Sequence, residues 1–324
     1  ANLNNAAYQA MAGRKGVVAL YNYQTGEVLC MLSTPSFDPA DDAEVAKVAA
    51  GDSNYDGAYL NRFLSGTYTP GSTFKLVTSA AALETLHNEN SFSYTCKGSL
   101  TLNGEKITCP SVHGTQDFAT ALANSCNGAF ATLATQVGGK TLEKYAKEAG
   151  LTSKVNVNGL NSAAGNFTAG TSDNDVGWSG VGQYKDLVNP CAELTLMGCI
   201  AQGGSAATPR LLKSVTSSKG LPVAHVTTET SQIGWKTDTC DKIRTMMHNN
   251  VTSNYSKSLD FGGLNVCAKS GTAEVGASKP HAWFVGFVED SAYPYAFVVV
   301  VENGGWGSSV AGGVAASLLK AACQ

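Results

Sequence analysis

Ser72 and Lys75 stand three residues apart in Thr69-Pro70-Gly71-Ser72-Thr73-Phe74-Lys75, at the head of the apolar run LVTSAAALETL. A helix that begins at Thr73-Phe74 sets the two side chains on one face, within reach of each other. A serine hydroxyl is a poor nucleophile at its ordinary pKa and needs a neighbouring base. A lysine amine supplies one when burial, a second cation and the positive end of a helix depress its pKa. Lys75 is also electrostatically misplaced, because the first turn of a helix favours acidic residues and a capping box wants Glu or Gln three residues after the serine. Taken alone, S-x-x-K is permissive, and a helix cap followed by a solvated lysine is the commoner meaning of the pattern.

Two further stretches reverse that balance. In DFATALANSCNGAFATLATQV the polar break Asn124-Ser125-Cys126-Asn127-Gly128 interrupts an apolar helical pattern, with Ser125 suited to relay a proton and Asn127 to hold a substrate amide. In VCAKSGTAEV the residues Lys269-Ser270-Gly271-Thr272 sit in a strand just before a turn. The glycine lets an extended ligand approach the strand edge, and the cation and hydroxyls suit a carboxylate.

The elements that must position these residues follow from periodicity. Gly16 to Tyr23 and Glu27 to Ser33 read as a hairpin after a short amphipathic helix, and Leu264 to Val275, His281 to Glu289 and Tyr295 to Glu302 as three more strands before a closing helix, GGVAASLLKAA. This predicts one antiparallel sheet built from both ends of the chain, about 14–35 and 262–324, around a mainly helical insertion at about 36–261. Helical patterns fall at Thr73 to Leu86, Phe118 to Val137, Leu142 to Ala149 and Pro190 to Gln202, while Asn156 to Gly182 reads as a long surface loop.

Composition excludes several classes. A net charge of -3 without a run of basic residues argues against nucleic acid as a partner. The longest apolar stretches fall far short of the roughly 20 residues of a membrane span, and the start ANLNNAAYQAM lacks a signal peptide's layout. Among 9 cysteines there is no CxxC, and the 5 histidines form no HxxxH or HExxH, so local spacing supports no zinc site and no metal or cofactor is expected. Cys96 and Cys109 flank a hairpin centred on Asn103-Gly104. A four-residue loop would set them opposite each other for a disulfide, whereas a two-residue turn would leave them two residues out of step.

In this order, S-x-x-K, S-x-N and K-S-G-T form the signature set of penicillin-binding proteins and class A β-lactamases. The stretches RKGVVALYNYQTGEVLCMLSTPSFDP, GTYTPGSTFK, GVGQYKDLVNP and HAWFVGF extend the likeness over nearly the whole chain, which most resembles the transpeptidase domain of a class B penicillin-binding protein. The resemblance implies an α+β fold, an antiparallel five-stranded sheet flanked by helices beside an all-helical subdomain. It also implies acyl transfer from peptidoglycan stem peptides ending in D-Ala-D-Ala, with β-lactam antibiotics as covalent inhibitors. Ser72 would be the nucleophile, Lys75 the general base, Ser125 the proton relay and Asn127 a ligand for the substrate backbone. Lys269, Ser270, Gly271 and Thr272 would bind the substrate and its carboxylate, and the backbone N–H groups of Ser72 and Thr272 would form the oxyanion hole.

Two other functions share this machinery. A β-lactamase must also hydrolyse its acyl-enzyme, and the nearest glutamate, Glu193, falls in an apolar helical run that reads as structural. A β-lactam-sensing receptor domain acylates once and signals. His113 and His281 read as structural or cleft-lining, and Trp283 as core or cleft wall. The resemblance further implies an extracytoplasmic domain, anchored through an amino-terminal segment outside this chain, with cell-wall synthesis proteins as partners.

Overall fold

Two strands near the amino terminus, β1 (Gly16–Asn22) and β2 (Val28–Thr34), join three from the other end of the chain: β3 (Val266–Val275), β4 (Ser278–Val288) and β5 (Tyr295–Val301). Together they make one antiparallel sheet of order β3-β4-β5-β1-β2. The structure, a computed structural model, describes residues 2–224 and 226–323. The β1–β2 turn is locally encoded, since Asn22 Oδ1 accepts from the backbone N–H groups of Gln24 and Thr25 at 2.9 and 3.0 Å.

Strands β1 and β5 are apolar at nearly every position because both faces of the sheet are covered. Val18, Leu20, Phe284 and Val299 face one core, shared with the terminal helices α1 (Asn2–Met11) and α8 (Val310–Ala322). Their alternates Val17, Tyr21, Trp283 and Val298 face a second core, which continues into the inserted helices. At its centre lies α6 (Pro190–Ala201), buried from Pro190 to Ile200 and therefore apolar all round. Its start is specified by Pro190 in the first turn and by Asn189, whose Oδ1 accepts from the N–H groups of Cys191 and Ala192 at 2.9 and 3.3 Å.

The insertion departs from its sequence pattern in three places. Among the described residues it carries five two-stranded ribbons besides its helices. The stretch expected as a surface loop contains α5 (Asp173–Val181), capped by Ser172 and packed on α4 (Asn127–Val137). The 17-residue α7 (Thr237–Ser253) was not expected, although Cys240, Ile243, Met247 and Asn250 form a buried stripe at helical spacing.

The ribbon Ser99–Leu102 with Glu105–Thr108 turns on two residues, Asn103 and Gly104, both at positive φ. Cys96 and Cys109 are therefore out of step. Cys96 pairs in register with Gly114, Cys109 donates its N–H to Gly98 O, and both thiols are free.

Candidate active site

The Ser72 turn is pressed against the open edge of β3, and two glycines make that approach feasible. Gly71 holds φ +54, and a Cβ there would meet Thr272 O at 3.0 Å. A Cβ on Gly271 would lie 2.7 Å from Pro70 O. Trp283, opposite Gly271 in the sheet, donates its indole N–H to Thr69 O at 3.0 Å. It is fully buried, hence core rather than cleft wall.

Ser72 lies in the 3-10 turn Gly71–Thr73, and Lys75 opens α2 (Lys75–Thr85). Lys75 Nζ lies 3.0 Å from Ser72 Oγ, 2.7 Å from Asn127 Oδ1, and 2.7 and 3.2 Å from the carbonyl and hydroxyl oxygens of Ser125. The side chain is completely buried, and that burial brings its pKa down to about 7. A neutral amine has a lone pair that can accept the Ser72 proton, whereas an ammonium has none.

Ser125 sits between α3 (Phe118–Ala123) and α4 with its backbone in the left-handed region, φ +52. Such a conformation is costly for a residue with a side chain and persists where its surroundings over-determine it. Here Ser125 N–H donates to Leu122 O and Cys126 N–H to Ala121 O, each at 3.0 Å. The Ser125 hydroxyl lies between two amines, because Lys269 Nζ donates to it at 3.0 Å and also to Ser270 O at 2.9 Å. Lys269 is fully buried as well, and burial first, then the neighbouring Lys75, pushes its pKa well down.

Asn127 is oriented at both ends of its amide, accepting from Lys75 and donating through Nδ2 to Thr108 O at 2.7 Å. One Nδ2 hydrogen is left for a ligand. On β3, Gln183 Nε2 donates to Thr272 O at 2.9 Å from the side away from β4. The N–H and C=O of one strand residue project to the same side, so Thr272 N–H also faces the open edge. The Ser72 N–H belongs to a first helical turn and has no intrahelical acceptor.

Thus Ser72, Lys75, Ser125, Asn127, Lys269, Ser270 and Thr272 come together, with Gly271 supplying the close approach. The cleft beside them has a volume of about 400 Å³, and Ser72, Ser125, Asn127, Ser270 and Thr272 all line it. Sequence reasoning missed Tyr255, whose hydroxyl lies 2.9 Å from Ser270 Oγ and accepts from Ser270 N–H at 3.0 Å. It also gave no role to Gln183, which bridges Thr272 O and, through Oε1, Glu274 N–H at 3.2 Å. Tyr255 stands in none of the quoted motifs, and Gln183, although inside GVGQYKDLVNP, carries no chemistry that spacing alone would single out.

Glu193 is buried in α6 and does not line the cleft; burial brings its carboxyl up to about 8, so it is protonated at neutral pH. His281 Nδ1 accepts from Asn303 N–H at 3.0 Å, a structural role. The local spacing that argued against zinc does not describe the folded chain, where Cys96, Cys109, His113 and Cys126 bring their donor atoms within 4.8 Å of one another beside the cleft.

A Ser-x-x-Lys pair with its serine at the cleft and its lysine buried, a serine shared by two lysines and a Lys-Ser-Gly-Thr strand edge define the class of penicillin-recognising serine acyltransferase folds. Residues 16–320 match the penicillin binding protein transpeptidase domain, and the chain belongs to that family. It is 30% identical over 327 residues to the peptidoglycan D,D-transpeptidase PbpA of Mycobacterium tuberculosis, covering 94% of this chain and 65% of PbpA. It is 29% identical over 277 residues to the stage V sporulation protein D of Bacillus subtilis, covering 80% of this chain and 40% of that protein. Penicillin-binding protein A from M. tuberculosis, solved as an imipenem acyl-enzyme complex, superposes with a TM-score of 0.88 at 27% identity, covering 100% of this chain and 78% of that one.

Proposed function

We propose that this chain is the catalytic domain of a peptidoglycan D,D-transpeptidase that β-lactams inactivate by acylating Ser72. The reading rests above all on one observation, the buried Lys75 amine 3.0 Å from Ser72 Oγ with its pKa brought down to about 7. Neutral Lys75 takes the Ser72 proton as Oγ attacks the penultimate carbonyl of a stem ending in D-Ala-D-Ala. The resulting oxyanion is held by the Ser72 and Thr272 N–H groups, each such donor typically being worth about 3 kcal/mol in the transition state. The proton passes through Ser125 to the departing D-Ala amine, and an amine from a neighbouring stem then takes the acyl group.

Two buried amines joined through one hydroxyl disfavour a second positive charge. A ligand carboxylate at Ser270 and Thr272 draws the remaining proton to Lys269 and leaves Lys75 as the base. Thr272 Oγ1 accepts from Gly307 N–H at 3.1 Å, so its own hydrogen is free to donate to that carboxylate. Asn127 orients Lys75 and offers its spare Nδ2 hydrogen to the substrate backbone. We place the domain on the extracytoplasmic face of the membrane, tethered through a segment outside this chain and working with other cell-wall synthesis proteins. No helix among the described residues is long and apolar enough to cross a membrane.

Intact mass after brief mixing with benzylpenicillin, followed over hours, tests the assignment. One lasting adduct on Ser72 is expected. Rapid loss of the adduct with drug turnover would instead identify a β-lactamase, and absence of any adduct would refute both.

A further inference from the structure

Ser270 stands two residues before Thr272, so its N–H and C=O also project from the open edge of β3. Both are taken up by the protein itself. Lys269 Nζ donates to Ser270 O at 2.9 Å, and Ser270 N–H donates to the Tyr255 hydroxyl at 3.0 Å. The same Tyr255 oxygen lies 2.9 Å from Ser270 Oγ. Tyr255 reaches the strand from the 3-10 turn Tyr255–Lys257, just past α7, where Asn254 Nδ2 donates to Ala123 O at 2.8 Å and ties the turn to α3. Its buried ring meets Phe284, the residue opposite Ser270 on β4, edge-on with centroids 5.2 Å apart.

The direction of the bond between the two hydroxyls follows from counting hydrogens. The phenol has one O–H, and its oxygen already accepts from Ser270 N–H. Among the described residues, Ser270 Oγ is the acceptor that this hydrogen meets. Were the serine the donor instead, the phenol hydrogen would be left without a partner inside the protein, a costly arrangement. Burial also raises the Tyr255 pKa, so the phenol keeps its proton. Tyr255 therefore donates to Ser270 Oγ, and the serine's own hydrogen is left for the cleft, which both residues line. A hydroxyl that accepts one hydrogen bond is polarised to donate another more strongly. Thr272 is arranged in the same way, since its Oγ1 accepts from Gly307 N–H at 3.1 Å and keeps its hydrogen free.

We propose that Tyr255 is a positioning residue for carboxylate recognition: its phenol aims the Ser270 hydroxyl, so that the terminal carboxylate of a stem peptide, or the carboxylate of a β-lactam, meets two prealigned O–H donors beside Lys269. The inference rests on the acyl-transfer reading above and adds to it a residue outside the S-x-x-K, S-x-N and K-S-G-T patterns. Without the phenol, the Ser270 hydroxyl turns freely, and a hydroxyl that points the wrong way gives the carboxylate no bond.

The test compares benzylpenicillin with its methyl ester, which differ only at the carboxylate. The readout is the second-order rate constant for acylation of Ser72 in the unmutated chain, in Tyr255→Phe and in Ser270→Ala. Phenylalanine keeps the ring against Phe284 and removes only the hydroxyl. Tyr255→Phe should slow the free acid about tenfold, through the loss of part of one charge-assisted bond, and slow the ester about twofold or less. The acid-to-ester rate ratio therefore falls. Ser270→Ala should lower that ratio at least as much, with no further drop in the double variant, because the two residues act through one hydroxyl. Equal slowing of both compounds by Tyr255→Phe, or no slowing of the acid, would mark the tyrosine as merely structural and overturn the proposal. A ratio unmoved by Ser270→Ala would overturn it even if Tyr255→Phe failed to fold. Absence of acylation in the unmutated chain would sink the transpeptidase reading and this inference with it, whereas normal acylation with an unmoved ratio sinks this inference alone.

Discussion

The assignment of Lys75 as the base stands or falls on its protonation state, which pH controls directly. With the amine titrating at about 7, half of the molecules hold it neutral at pH 7. At pH 5 the neutral share is about one in a hundred, so acylation by benzylpenicillin should be roughly fifty times slower there, falling close to tenfold per unit below neutrality and levelling off above pH 8. An unperturbed lysine at 10.5 would instead leave well under a thousandth of the molecules competent at neutral pH, with the rate still climbing at pH 9. The assay is the second-order rate constant for loss of unlabelled protein by intact mass, taken at each half unit from pH 5 to 9 at constant ionic strength. Equal rates at pH 5 and 7, or a climb with no plateau by pH 9, would refute the argument that burial has freed this amine of its proton.

Three further outcomes follow from the same geometry. Lys75→Met should reduce labelling at least about a hundredfold, as expected for loss of a general base, while its circular dichroism stays native, and labelling at the unmutated rate would remove Lys75 from the mechanism. The methyl ester of benzylpenicillin should acylate Ser72 about 10–100 times more slowly than the free acid, because it forfeits a charge-assisted bond near Lys269, worth about 1.5–3 kcal/mol; equal rates would place the carboxylate elsewhere. Burial brings Asp186 and Glu193 both up to about 8, so between their unfolded values near 4 and pH 8 the folded chain holds protons that the unfolded chain has lost. Stability therefore falls as pH rises through that window, and Asp186→Asn with Glu193→Gln should flatten the decline in melting temperature between pH 5 and 8; an unchanged slope would show that these carboxyls ionise in place.

Features encoded within a few residues were legible in the sequence, and features made by packing were not. The five sheet strands are found within two or three residues of their expected ends, β1 and β5 most plainly, because strands covered on both faces leave an uninterrupted hydrophobic signal. By contrast, α5 hides in a stretch rich in glycine and asparagine, where intrinsic propensity is weak and contact with α4 decides the outcome. The Asn103-Gly104 turn was visible, but the choice between a two-residue and a four-residue loop rests on φ at both positions, so the relation of Cys96 to Cys109 stayed open.

The amino-acid sequence by itself determined that Ser72 and Lys75 share a helical face, since three residues of separation bring side chains together on any helix. Only the tertiary structure decided what surrounds that pair. Lys269 reaches the Ser125 hydroxyl across 144 residues of chain, and Asn127 reaches Lys75 across 52. Cys96, Cys109, His113 and Cys126 converge from two ribbons and a helix start, Tyr255 enters the site without any motif to announce it, and Gln183 takes its role only from the strand edge it meets. The reason is physical: a lysine's basicity depends on how completely its neighbours exclude water, and that exclusion belongs to the packed whole rather than to any short segment of the chain.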